Sequence, residues 1–264
     1  MAINHIFRPA DADFTTVEID GKSAHILKTA AFENFTTEIL GLGDVGLPSK
    51  GADAIAAVFD LEGFTKFCGQ IEPQLSVPKF LSKFLTWLMD KLKERSIRST
   101  HADGVWLYWP LPFFVKFLGD GVLVLWDATT SGDIGGRITM MNCSRICSAY
   151  KSEFHPLISR SVVDPPAALR CGLARGTVYS VGNGSDFVGS CINMAARLQK
   201  LPGLTFALNI RGVPVDTWED EHYSKFYVTK RVSIRGIGEN ELVCLLKTEY
   251  DALSPPDRGT YRDV

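Results

Sequence analysis

Two aspartates stand where an apolar run gives way to a glycine-containing turn: Asp60 in VFDLEGFT and Asp120 in KFLGDGVLVLW. A charged residue ending an apolar strand lies at a sheet edge, facing solvent or a ligand. Either aspartate alone also reads as a turn or capping residue. Two of them on adjacent strands could hold a pair of Mg²⁺ or Mn²⁺ ions about 4 Å apart, the arrangement that clamps attacking and leaving oxygens in phosphoryl transfer. Hard cations take oxygen ligands, which carboxylates supply. The segment Leu61, Glu62, Gly63, Phe64 and Thr65 leads into a helix whose free N–H groups could receive a triphosphate. Gly63 lets the backbone approach closely, and Glu62 reads as a charge favoured by the helix dipole. No GxxxxGK[ST] occurs, which excludes a P-loop. Downstream, Asn193 and Arg197 are four apart on a helix and share a face. Arginine there could neutralise charge on a phosphate and asparagine could orient a sugar. The pair alone also reads as a solvated helix face, with Ala195, Ala196 and Leu198 giving the other face something to bury.

The elements that must position these groups alternate. Residues 1–50 form an N-terminal arm, in which TVEIDGKSAHIL alternates around Asp20-Gly21, a hairpin signal. GLGDVGLPSKG then connects to a mixed α/β region at 51–250. AIAAVFD is a strand ending on Asp60. Helix follows from FTKFC, and a longer helix starts after Pro78, with Phe80, Leu81, Phe84, Leu85, Leu88 and Met89 at helical spacing. HADGVWLYWPLP reads as an ordered loop or edge strand. FFVKFL and VLVLW are buried strands joined by the tight turn Gly119-Asp120-Gly121. A helix spans roughly Ile134 to Phe154. LRCGLA and TVYSVG are strands broken at Gly176, and INMAARLQKL continues a helix. LTFALN, FYVTKRVSI and ELVCLL are strands, and the polar tail 251–264, ending SPPDRGTYRDV, is frayed.

With 264 residues, 45% of them hydrophobic, the chain can bury a substantial core. A formal net charge of −2 leaves no basic field to hold nucleic acid. The six cysteines sit singly in apolar segments except Cys143 and Cys147, whose CxxxC spacing in a helix, with no histidine near, reads as core thiols rather than zinc ligands. The five histidines (His5, His25, His101, His155, His222) are scattered, unlike those of a metal-dependent phosphohydrolase. No run of about 18 apolar residues occurs and the start lacks the pattern of a signal peptide, so a cytoplasmic protein without membrane insertion is expected.

The blocks VFDLEGFTKF, KFLGDGVLVLW, LRCGLARGTVYSVGNG and DFVGSCINMAARLQ, in that order, resemble the class III adenylate and guanylate cyclase catalytic domain over about 54–248. The resemblance implies an α+β fold, an α/β sandwich on a ferredoxin-like βαββαβ core with extra strands. It implies a head-to-tail homodimer with composite active sites, the aspartates coming from one subunit and the base, ribose and transition-state groups from the other. Residue by residue, Asp60 and Asp120 bind the two divalent ions, Asn193 holds the ribose and Arg197 stabilises the transition state. Lys116 and Asp186 contact the base, and Arg235 in IRGIGE falls near a position that contacts the terminal phosphate. The reaction implied is in-line attack of the ribose 3′-OH on the α-phosphate, giving a 3′,5′-cyclic monophosphate and pyrophosphate.

The base is divided. A Lys/Asp pair reads adenine by the family's usual rule, and the same donor and acceptor serve cytosine or uracil in a shorter pocket. LRCGLARGTVYSVGNGSDFVGSCINMAARLQKL, the aromatic loop before Lys116 and GDGVLVLW are similar to the stand-alone pyrimidine cyclases of bacterial anti-phage (Pycsar) systems. That similarity implies cyclic UMP or cyclic CMP acting on a partner effector. The expectation is a pyrimidine product, with cyclic AMP as the enzymatic alternative and a silent cyclase-like binding module as the other.

Overall fold

The computed structural model describes residues 14–27, 29, 33, 37, 41–94, 98–102, 104–107, 111–129, 132–213, 215 and 221–264. The chain divides into two compact units, Met1–Gly51 with Val178–Val188, and Ala52–Thr177 with Gly189–Val264.

In the first unit, β1 (Phe14–Ile19) and β2 (Lys22–Leu27) pair antiparallel with Ile19 opposite Lys22. Asp20 and Gly21 have φ of 51° and 72°, the two left-handed residues that a two-residue hairpin turn requires. The anticipated hairpin is therefore present, while 1–13 of the arm lie outside the described residues. The end of β8 (Ala168–Val181) pairs with β9 (Asp186–Val188), Val181 facing Asp186.

The second unit is built on β3 (Gly51–Glu62), α1 (Phe64–Cys68), α2 (Pro73–Glu94), the hairpin β4 (Arg98–His101) and β5 (Gly104–Leu107), β6 (Phe114–Phe117), β7 (Gly121–Asp127), α3 (Gly132–Ala149), β8, α4 (Ser190–Leu198), β10 (Phe206–Asn209), α5 (Glu221–Phe226), β11 (Tyr227–Ile234), β12 (Gly238–Leu246), α6 (Lys247–Ala252), α7 (Pro255–Arg258) and β13 (Tyr261–Arg262). Its sheet runs in the order β13-β11-β12-β10-β8-β3-β7-β6. The interior strands are the apolar runs: every residue from Ala54 to Leu61 is buried. Over the sheet, α2 and the α3 region interlock through aromatic rings, Phe80 stacking on Phe84 at 5.9 Å and meeting Phe154 edge-on at 5.9 Å. All six cysteines are free thiols, five of them buried.

Six expectations need correction. FFVKFL is not a buried strand: as β6 it lies at the edge of the sheet, with Phe113, Val115 and Phe117 exposed. The Asp60 strand does not stop at Asp60 but runs on to Glu62, because Asp60 stays in register with Gly121 and the Leu61 N–H bonds the Asp120 carbonyl at 3.0 Å. The long helix begins at Pro73, with Pro78 inside its second turn, where the missing N–H forfeits one bond. LRCGLA and TVYSVG are one strand, β8, and Gly176 lies within it, where a Cβ would crowd Cys191 at 3.3 Å. The polar tail is not frayed: β13 pairs with β11, and Tyr261 is buried edge-on against Tyr250. The helix expected at Ile134 to Phe154 extends to Ile158, with a π-helical turn at Tyr150–Phe154 between α3 and His155–Ile158.

Candidate active site

Strand pairing brings the two aspartates together. β3 and β7 are antiparallel, with Asp60 directly opposite Gly121, the residue after Asp120. Directly opposed residues have Cα atoms about 4.5–5.5 Å apart. Gly121 is needed for this approach, since a Cβ there would fall 2.2 Å from the Phe59 carbonyl oxygen. Asp120 is exposed in the β6–β7 turn, which is closed by the Leu118 N–H on the Gly121 carbonyl at 2.8 Å. Asp60 is 7% exposed, and a carboxylate so buried needs a partner. That partner is Arg170 of β8, whose Nη2 donates to Asp60 Oδ2 at 2.6 Å. Arg170 Nε is buried without a partner, leaving one donor of the guanidinium uncommitted.

A second pair joins the same two strands, Arg175 Nη2 to Asp53 Oδ2 at 2.6 Å. The numbers run in opposite directions, so β3 and β8 are antiparallel, with Asp60 and Arg170 at one end of the sheet. β10 is parallel to β8 and antiparallel to β12, and β11 is antiparallel to β12. The β11–β12 turn carrying Arg235 therefore lies at the opposite end from Asp60. Arg235 is exposed there, beside Gly236 at φ 78°.

The donor set fits hard cations. One oxygen of Asp60 is engaged by Arg170, and the carboxylate's remaining lone pairs are those a divalent ion would take, together with Asp120. Among the described residues no cluster of three or more His, Cys, Asp or Glu side chains forms. Such ions would therefore rest on these two carboxylates, substrate phosphates and water, which suits Mg²⁺.

After Asp60, Leu61 is buried and Glu62 ends β3, exposed. Gly63 takes φ 83° to turn the chain into α1, whose first residues Phe64 and Thr65 follow. Glu62 thus belongs to the strand and not to the helix N-terminus. A hollow of about 790 Å³ borders this loop, lined in part by Glu62, Lys66, His155, Arg160 and Asp164. Lys66 and Arg160 are offset by Glu62 and Asp164, so the hollow itself does not select anions.

On α4 the buried face is Cys191, Met194, Ala195 and Leu198, and Asn193 and Arg197 lie together on the exposed face. The helix packs directly on β8: a Cβ at Gly172 would fall 2.0 Å from the Ala195 carbonyl oxygen. Lys116 lies on β6 opposite Leu123. Asp186 lies on β9 in the first unit and accepts the Phe187 N–H at 2.9 Å.

Against solved structures, the chain superposes on the adenylyl cyclase CyaB from P. aeruginosa with a TM-score of 0.55 and 12% identity, over 76% of this chain and 96% of that one. The guanylyl cyclase Cya2 gives 0.53 and 17% over 76% and 94%. The fold is that of a class III cyclase catalytic domain. A third, the adenylate/guanylate cyclase/hydrolase from Silicibacter pomeroyi, gives 0.50 and 13% over 75% and 98%. No family model and no curated protein matches the chain by sequence.

Within the class III cyclase fold, sequence reasoning missed Arg170 as a site residue. Its only local signal is a charge opening an otherwise apolar strand, LRCGLA, and its partner is 110 residues away. Among the described residues no helix is long and apolar enough to cross a membrane.

Proposed function

We propose that the chain is a nucleotidyl cyclase that converts a nucleoside triphosphate to its 3′,5′-cyclic monophosphate and pyrophosphate. The observation that carries this reading is the placement of Asp60 against the Asp120 turn across β3 and β7, on a class III cyclase fold. Asp60 and Asp120 would hold two divalent ions, which would supply the acidity of the ribose 3′-OH and the neutralisation of the triphosphate. The chain's own residues do the rest. Backbone amides of Glu62, Gly63, Phe64 and Thr65 hold the triphosphate, whereas the Leu61 N–H, expected to join them, is already given to the Asp120 carbonyl. Asn193 orients the ribose, and Arg197 meets the charge that develops on the α-phosphate. Lys116 and Asp186 read the base, and Arg235 binds the terminal phosphate.

The active unit in this reading is a head-to-tail homodimer. Arg235 and Asp60 occupy opposite ends of one sheet, which favours their meeting across two subunits. The edge strand β6 supplies an apolar contact: Phe113, Val115 and Phe117 alternate onto one face and are 43%, 41% and 39% exposed.

For the base we favour a pyrimidine, giving cyclic UMP or cyclic CMP in the cytoplasm as the signal to a cyclic-nucleotide-binding effector in anti-phage defence. The test is incubation of the purified chain with Mn²⁺ and ATP, GTP, CTP or UTP, with products read by mass spectrometry. Cyclic UMP or CMP is the expected product. Cyclic AMP alone would overturn the pyrimidine assignment and return the Lys116/Asp186 pair to adenine. No cyclic product from any triphosphate, with metal and nucleotide shown to bind, would overturn the enzyme in favour of a silent binding module.

A further inference from the structure

The connector GLGDVGLPSKG has the composition of a loose linker, but its residues 42–50 are fastened at both ends. They belong to the first unit, which also takes Val178–Val188, the end of β8 and all of β9. The connector grips the β8–β9 hairpin at two points. At the base of the hairpin, Ser180 donates its N–H to the Lys50 carbonyl at 2.9 Å and accepts the Lys50 N–H on Oγ at 2.9 Å. The Ser180 carbonyl accepts the Ser49 hydroxyl at 2.6 Å.

At the tip, Gly43 and Gly182 meet backbone to backbone. A Cβ on Gly182 would fall 1.6 Å from the Leu42 carbonyl oxygen. One on Gly43 would fall 2.3 Å from the Gly182 carbonyl oxygen and 2.7 Å from Ser185 Oγ. Both glycines are left-handed, at φ 68° for Gly43 and 56° for Gly182, so each is required for its backbone as well as for its missing side chain. The grip is braced on either side. Thr37 Oγ1 donates to the Gly43 carbonyl at 2.8 Å, and the Leu42 N–H donates to the Thr37 carbonyl at 2.9 Å. Across from them, Ser185 Oγ donates to the Gly182 carbonyl at 2.7 Å. That bond closes the turn just before Asp186, the first residue of β9, which faces Val181.

A two-stranded hairpin is marginal by itself, and β9 has three residues. What fixes its first residue is therefore the grip on either side of Val181. We infer that residues 42–50 are a positioning element of the base subsite: by holding the hairpin at Ser180 and Gly182 they fix Asp186, and base selectivity depends on them. This role rests on the base contact proposed above for Asp186.

The test is equilibrium binding of the four 3′-deoxynucleoside triphosphates to the full chain with Mn²⁺, by calorimetry. These lack the attacking hydroxyl, so base preference is read without turnover. Asp186→Ala is expected to reduce the preference for the best base about tenfold or more, the loss of a charge-assisted hydrogen bond. Gly43→Ala, whose new Cβ must push Gly182 away, should lose about the same factor. Ser180→Ala, which removes one bond without a clash, should lose about threefold. Both should weaken the preferred triphosphate and leave the others unchanged, whereas partial unfolding would weaken all four alike. Gly43→Ala combined with Asp186→Ala should be no less selective than Asp186→Ala alone. Hydrogen exchange over Val178–Val188 should speed up in Gly43→Ala, and the melting temperature reports the rest of the fold. Preference kept in Gly43→Ala and Ser180→Ala but lost in Asp186→Ala would overturn the positioning role. Preference unaffected by Asp186→Ala, or no binding of any triphosphate to wild type, would overturn the base contact and with it the role of residues 42–50. Selective binding that follows this pattern, with no cyclic product from the natural triphosphates, would support the positioning role and sink the cyclase reaction alone.

Discussion

Arg170 Nη2 lies 2.6 Å from Asp60 Oδ2, so the more buried of the two carboxylates at this end of the sheet is held by a cation from the neighbouring strand. An arginine and a divalent ion are then alternative or joint partners for one charge. Arg170→Ala strands a carboxylate whose side chain is 9% exposed. The expected cost is about 2–3 kcal/mol, below the usual 3–5 kcal/mol for a broken buried pair because Asp60 reaches the sheet edge. Mn²⁺ should replace the lost cation, so the metal-induced rise in melting temperature should be larger in Arg170→Ala than in wild type. Adding Asp60→Asn should recover part of the stability and abolish the Mn²⁺ effect. Equal Mn²⁺ shifts in all three proteins would show that Asp60 is not a metal ligand.

The fit of α4 on β8 gives a prediction that reaches the site indirectly. A Cβ at Gly172 would sit 2.0 Å from the Ala195 carbonyl oxygen and 2.7 Å from the Gln199 nitrogen. Both are backbone atoms and cannot swing aside. Gly172→Ala should therefore shift α4, and with it Asn193 and Arg197, at a cost of about 1–3 kcal/mol in stability. A displacement of about 1 Å at a reacting group costs on the order of 10²-fold in rate. Single-turnover cyclisation should fall toward that extent while Mn²⁺ binding to Asp60 and Asp120 is retained. Unchanged turnover would mean that α4 does not position the reacting groups.

The parts of this site that were legible in the sequence are those fixed locally. Asp60 and Asp120 announced themselves because each ends an apolar run beside a glycine, and Asn193 and Arg197 because helical spacing puts them on one face while Met194, Ala195 and Leu198 are buried. The Asp20-Gly21 hairpin was legible for the same reason. Arg170 was not, since its role depends on which strand lies beside β3, a pairing across 110 residues. The tail misread has the same origin. YR has no strand pattern of its own, and becomes β13 only because β11 offers an edge and Tyr250 a ring. Pro78 misled in the other direction: proline marks helix starts well, but α2 is anchored by the buried stripe Phe80, Phe84, Leu88 and Leu92 and tolerates the lost bond.

Stability should fall on the alkaline side. Burial pushes the Cys244 thiol up to about 12 and the Cys191 thiol up to about 11, against 9.0 in the unfolded chain. The folded state thus holds these protons more tightly. The stability they contribute is fully present below pH 9 and is lost as pH rises from there toward the folded values. For Cys244 alone the slope is on the order of 1 kcal/mol per pH unit. Guanidinium melts at pH 7.5, 9 and 10.5 should show little change over the first interval and a clear drop over the second. Cys191→Ala should shallow that drop. A stability that stays flat to pH 10.5 would mean that these thiols are more hydrated than their position in the core implies.

The homodimer reading has its own test, because it distributes one active site over two chains. Asp60→Ala removes the metal carboxylate from one side of each site, and Arg197→Ala removes the transition-state cation from the other. Each protein alone should be inactive by 10²-fold or more, on the scale of losing a group that acts in the transition state. Random exchange of an equal mixture makes half the dimers mixed, and each of these keeps one intact site of two. The mixture should therefore recover about a quarter of wild-type turnover in a closed two-fold dimer. Exchange is verified by light scattering and by a size tag on one partner. Recovery near a quarter supports a shared site, and no recovery with exchange demonstrated would place Asp60 and Arg197 in the same subunit's site.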